Sequence, residues 1–201
     1  MERSFQIKMP KVETFNRDQV IQNAIEVFHD KGFNATSMQD LVDATGLNRS
    51  SIYNSFGSKL DLFLECLSVY QYKYQQDTSD VLLHSNTGYD AIQNMFLMYL
   101  EDIVKDKDGK GCMITNSKSE MANHCDRITG FLKTNQKQTL DLLGQLVSKG
   151  QDDGSINSDQ SSENYALYLF SALQGIRMTS ILENDKTKLE ALVNTSIDIL
   201  T

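Results

Sequence analysis

The segment TSMQDLVDATGLNRSSIYNSFGSK, residues 36 to 59, restricts the fold of this chain more than any other. Three short apolar-periodic runs lie in it, each opened by a small polar residue. Ser37 with Asp40 three positions on is a helix start of the capping-box kind. Met38, Leu41 and Val42 then form a buried stripe, and Gly46 turns the chain after barely two turns. Leu47 follows as an apolar plug. Asn48 caps a second short run in which Ile52 and Phe56 point one way, and Gly57 ends it. Ser58, with Asp61, caps a third. The pattern predicts two short helices crossing at a sharp angle and a long helix leaving them.

The surroundings read as helix throughout. Asn16 and Gln19 start a helix from about Arg17 to Lys31, with Val20, Ile21, Ala24, Ile25 and Phe28 on one face and Gly32 as its stop. Beyond Ser58, helical spacing predicts segments over about 59–83, 89–107, 115–124, 127–149, 159–182 and 186–200. The polar stretches HSNTG, KDKDGKG and KGQDDG punctuate them. The only proline is Pro10, and no strand alternation persists anywhere. The expected fold is all-α, with a helix-turn-helix unit over 1–60 and a helical body over 61–201.

Charge separates the two parts. The chain carries a net −8, which by itself disfavours a polyanionic partner. Residues 1–60 hold seven basic and seven acidic side chains, so the whole excess of acid lies beyond them. The neutral end is the part suited to contact DNA. The N-terminal MERSFQIKMPKVETF lacks a signal-peptide core, and no apolar run is long enough to cross a membrane, so the expectation is a cytoplasmic protein with no membrane partner. The three cysteines, Cys66, Cys112 and Cys125, are too few and too scattered for a disulfide framework. No metal-ligand spacing is present, and no cofactor or metal is expected.

The second short helix carries the functional signal. Opposite Ile52 and Phe56 lie two adjacent rows, Arg49 with Tyr53 and Ser50 with Asn54. A helix buried on all sides would not be polar there. The B-DNA major groove admits one α-helix, and a short helix anchored by two apolar residues leaves its far face free to enter it. Arg49 can donate twice to a guanine edge and Asn54 can pair with adenine, each worth about 1–3 kcal/mol of discrimination. Ser51 and Tyr53 suit phosphates. Thr36, Ser37, Asn48 and Lys59 sit at helix N-termini, where backbone N–H groups attract an anion.

Residues 17–63 resemble the DNA-binding domain of the TetR family of bacterial transcriptional regulators. The resemblance rests on Ala24, Phe28, Gly32, Thr36–Ser37, Ala44–Gly46, Leu47, Ile52–Tyr53, Phe56 and Lys59 at the family's spacing. Two positions depart: Ser55 stands where the family often has His, and Ser50 where it often has Gly. GCMITNSKSE (111–120) and YALYLFSALQGIRMTS resemble segments of one branch of that family. The resemblance implies a homodimeric regulator, in most members a repressor, that binds a palindromic double-stranded operator and releases it when a small-molecule effector binds. It implies a dimer contact built from the last two helices of each protomer, with Tyr168, Ser171, Ala172, Gly175, Thr179 and Leu192 on the contact face.

Met95, Met98, Tyr99, Met121 and Phe131 are candidate walls of an effector pocket, since Met and aromatic side chains adapt to varied apolar ligands. The plainer reading of each is ordinary core. Cys112, next to Lys107 and Lys110, is a candidate electrophile or redox sensor; its plainer reading is a small buried hydrophobe. A helical interaction module without DNA affinity is a further alternative. No HExxH, P-loop, GxSxG or triad pattern supports an enzyme.

Overall fold

The computed structural model describes residues 15–201. The first fourteen residues, including Pro10 and the stretch without a signal-peptide core, lie outside the described residues. Within those described, the chain forms α1 (Arg17–Ala35), α2 (Met38–Thr45), α3 (Arg49–Phe56), α4 (Lys59–Leu83), α5 (Gly88–Lys105), α6 (Met113–Met121), α7 (Asp126–Asp153), α8 (Ser162–Thr179) and α9 (Lys186–Ile197), closed by a 3-10 turn at Asp198–Leu200. No strand is present among them.

The caps expected from the sequence are made. Asn16 accepts from the Gln19 N–H, and Ser37 and Asp40 form a reciprocal capping box. Asn48 accepts from Ser51 N–H and Ser58 from Asp61 N–H. Gly46 has φ 70° and ψ 3°, the left-handed conformation that spares it a Cβ penalty and lets its N–H return to the Val42 carbonyl at 3.0 Å. α1 runs on to Ala35 rather than ending near Lys31, but Gly32 breaks it with φ 74° and ψ 174°. α6 begins and ends earlier than expected, α7 continues a turn further to Asp153, and α8 is shorter at both ends.

Two hydrophobic clusters hold the molecule together. The first joins α1–α4: Ile21, Ala24, Phe28, Leu41, Ile52, Phe56, Leu62, Phe63 and Leu67 are all buried in it. It does not stop at α4. Cys112, Met113, Ile114 and Met121 of the α6 segment and Ile128 and Leu132 of α7 belong to the same cluster. The second packs α5, the later half of α7, α8 and α9, with Ile92, Phe96, Leu143, Val147, Leu169, Leu173 and Val193 at its centre. The expected boundary at residue 60 falls one residue inside α4, where the helix is continuous.

Ile52 has no accessible surface, whereas Arg49 of the same helix is exposed. Ile52→Ala is therefore expected to lower the unfolding free energy by about 2–5 kcal/mol. Arg49→Ala is expected to stay within about 0.5 kcal/mol of the parent. Urea unfolding followed by circular dichroism reads both.

Candidate nucleic-acid interface and an adjoining cavity

α3 is fixed from behind. Ile52 and Phe56 bury in the cluster where α3 packs on α2 and α4, and Arg17 of α1 clamps the end of the helix. The Arg17 guanidinium lies 4.4 Å from the Phe56 ring centroid, donates to the Ser55 carbonyl at 3.4 Å, and pairs with Glu65 at 2.8 Å. The opposite face is open: Arg49, Ser50, Tyr53 and Asn54 are exposed, Tyr53 by 47%. The row expected to face a partner is on the surface and contiguous. Asn48 and Ser37 are exposed beside it, each with its side-chain oxygen committed to a helix cap, and Ser51 is half-buried.

Two expected anion contacts need correction. The Thr36 side chain is 1% exposed, and its hydroxyl donates to the Gly32 carbonyl at 2.6 Å. Lys59 is half-buried, with its ammonium donating to the Thr36 carbonyl and lying 4.5 Å from the Phe33 ring centroid. Burial pushes its pKa down, partly offset by Glu120 and Asp40. The Lys59 ammonium ties the start of α4 to the residue before the α2 cap, and the Thr36 hydroxyl ties that residue back to α1. Both lie at helix N-termini as the spacing predicts, but with these donors committed within the chain.

Between α4, α5, α6, α7 and α8 lies a cavity of about 430 Å³. Met95, Tyr99 and Cys112 line it as expected. Met98, half-buried on α5, does not. Met121 is buried in the first cluster, with its sulfur accepting from the Asn34 amide at 3.4 Å, and Phe131 packs at that cluster's edge. Neither reaches the cavity. Among the polar side chains that do, Tyr70, Tyr74, Lys118, Gln174 and Arg177 were not anticipated as site residues. Arg177 left a trace in the sequence: it is the lone cation in the apolar run YALYLFSALQGIRMTS.

Arg177 organises one wall. It donates to the Cys112 sulfur at 3.1 Å and stacks on Tyr99 at 4.4 Å, with Tyr74 at 5.6 Å. Tyr70 and Tyr74 share a hydroxyl contact at 3.3 Å, and burial pushes both phenols up. Burial also pushes the Cys112 thiol up, but the Arg177 charge and the N–H groups of Thr115 and Ile114 pull harder the other way, leaving it below the ordinary thiol value. Cys66 has no such partner, and burial holds its thiol far above that value.

α6 joins this wall to the helix-turn-helix. Its N-cap is Cys112, in the cavity. Near its other end, the Glu120 carboxylate accepts the Phe33 and Asn34 N–H groups at 3.0 and 2.6 Å, the donors freed by the Gly32 break. A Cβ on Gly32 would come within 2.8 Å of that carboxylate. Further ties are His29 Nε2 to the Gly111 carbonyl at 2.7 Å, Lys110 to Glu26 at 3.6 Å, and Arg127 to Asp61 at 2.7 Å.

Comparison with known proteins agrees across both halves. A family model described as bacterial regulatory proteins, tetR family, matches residues 20–66, and one described as tetracyclin repressor-like, C-terminal domain, matches residues 88–196. The uncharacterized HTH-type transcriptional regulator YezE of Bacillus subtilis is 26% identical over 96% of this chain and 100% of its own length. The HTH-type transcriptional repressor DhaR of a Mycobacterium species is 24% identical over 92% of this chain and 91% of its own. A cysteine-substituted form of the regulator CifR, solved on operator DNA, superposes with a TM-score of 0.82 at 21% identity, covering 95% of this chain and 100% of that one. No helix among the described residues is long and apolar enough to cross a membrane.

The contrast between Cys112 and Cys66 predicts selective alkylation. Because its thiolate persists to lower pH, Cys112 is expected to react with iodoacetamide well before Cys66 in the native protein, with a rate that falls as pH drops through its depressed pKa. Site-resolved mass spectrometry reads this; equal labelling of the two would contradict it.

Proposed function

The chain belongs to the tetR family of bacterial regulatory proteins, and from that premise we propose that it works as a homodimer that grips a palindromic operator with two copies of α3 and releases it when a small molecule fills the cavity behind α6. That it is a DNA-binding transcriptional regulator and not an enzyme follows from the family. The remaining steps are this reading's own.

The observation that carries it is the exposed polar row on α3, held outward by Ile52 and Phe56. Arg49 and Asn54 are the base readers, with Ser50, Ser51 and Tyr53 beside them for phosphates and edges. Ser37 and Asn48, exposed at the N-termini of α2 and α3, are assigned to phosphate contacts.

The dimer face is supported by what α8 and α9 leave uncovered. Leu167, Tyr168, Met178 and Leu192 are exposed by 55%, 42%, 47% and 36%. Ser171, Gly175 and Thr179 lie exposed among them, with Ala172 half-buried at the edge. A Cβ on Gly175 would meet nothing within 4 Å of its own protomer, so its smallness serves no internal packing and is free to admit a partner helix. A two-fold contact here sets two α3 helices on one side of the assembly.

Release is read through α6. A ligand pressing on the Cys112 end shifts a rigid helix whose other end holds the α1 backbone through Glu120. Such a coupling of about 1–3 kcal/mol weakens operator binding about 5–150-fold. A covalent variant is favoured by one contact, the Arg177–Cys112 bond at 3.1 Å. The thiolate would add to the β-carbon of an unsaturated carbonyl, and the resulting enolate would take a proton from solvent.

Selection of bound duplexes from a random DNA pool tests the central reading. The parent is expected to enrich a two-fold-symmetric sequence. Arg49→Ala is expected to lose about 1–3 kcal/mol of discrimination at one base pair in each half-site while still binding. A variant that enriches the same sequence as sharply as the parent would remove Arg49 from base readout.

A further inference from the structure

The cavity has a charge pattern opposite to that of the chain. Acidic side chains outnumber basic ones by 27 to 19 in the whole sequence. Yet among the described residues the only formally charged ones lining this cavity are Lys118 and Arg177. Neither forms an ion pair with a carboxylate among the described residues. Lys118 is half-buried with its ammonium 4.6 Å from the Phe170 ring centroid. Among the described residues the Arg177 side chain makes one hydrogen bond, to the Cys112 sulfur, although a guanidinium carries five N–H donors. The acids Glu26, Asp102 and Asp106 line a neighbouring cavity of about 410 Å³, which shares Tyr70, Tyr74, Tyr99, Cys112 and Arg177 with this one but does not include Lys118.

Cations removed from water are ordinarily paired. A Cys112 thiolate can neutralise at most one of these two, so the cavity stays positive whichever state the thiol is in. Burial and the nearby Arg177 charge push Lys118 below its ordinary pKa, only partly offset by Cys112, the direction expected of a cation waiting for a counter-ion. The rest of the lining is uncharged. Leu82, Met95, Leu142 and Leu173 give it an apolar part, neutral polar side chains such as Gln75, Thr78, Thr115 and Asn135 lie beside them, and Gln71 bridges α4 to Gln138 of α7 at 2.7 Å on the exposed side. The volume lies in the range of small-molecule sites, about 300–1,000 Å³.

We infer that the ligand of this cavity is an amphipathic organic carboxylate, its head group held between Lys118 and Arg177 and its apolar body lying against Met95, Leu142 and Leu173. A guanidinium and an ammonium lining one cavity, close enough that the Arg177 charge lowers the Lys118 pKa, suit a carboxylate, which takes paired N–H donors. The inference rests on the reading of this cavity as the effector site and adds the chemical class of the effector.

Calorimetric titration of the full-length protein with three probes of equal chain length, decanoate, decan-1-ol and decyltrimethylammonium, tests it. Decanoate is expected to bind at least tenfold more tightly than decanol, and the cation more weakly than either. Lys118→Gln is expected to lose most of the preference for decanoate while leaving decanol affinity in place. Equal affinity for decanoate and decanol in the parent, tighter binding of the cation, or binding of none of the three would overturn the inference. A parallel titration of the operator complex separates this from the effector reading. Decanoate that binds with the expected preference but leaves operator affinity unchanged would refute release through this cavity and leave the charge assignment standing.

Discussion

A helix of eight residues is too short to persist by itself in water, so everything α3 does depends on the burial of Ile52 and Phe56. Those two side chains fix the helix against α2 and α4, and the Arg17 clamp with Glu65 and the Ser55 carbonyl fixes its C-terminal end. Because the anchor occupies one stripe only, the remaining face carries Arg49, Ser50, Tyr53 and Asn54 into solvent without structural duty. Such separation of holding from reading is what allows a recognition surface to vary while the fold stays put.

The same hydrophobic cluster that holds α3 also contains the residues of α6. At about 1.5 Å per residue, this nine-residue helix spans about 13 Å. It places Cys112 and Lys118 in the cavity and Glu120 on the α1 backbone. Displacement at one end is therefore felt at the other with few soft elements between. The net-negative body keeps nonspecific DNA contacts away from everything except the neutral reading end, and it makes the two cations of the cavity conspicuous.

The helix-turn-helix was legible in the sequence because its signals are local. A cap, a stripe and a glycine lie within a few residues of each other, and the capping box at Ser37–Asp40 and the turn at Gly46 formed as read. Thr36 and Lys59 meet across 23 residues, a tertiary contact that spacing along a helix does not encode. The cavity was legible only in part, for the same reason. Met95, Tyr99 and Cys112 share it with side chains from five helices, and the sequence does not say which faces of those helices meet. Met98, Met121 and Phe131 obey the same apolar periodicity and turn elsewhere.

Chemical footprinting of the protein on a duplex that it selects tests the central claim most directly. Guanine N7 positions should be protected from methylation in two major-groove segments about 34–36 Å apart on one face of the DNA. Protection confined to the minor groove, or to a single segment, would contradict a pair of outward-facing α3 helices as the reading element.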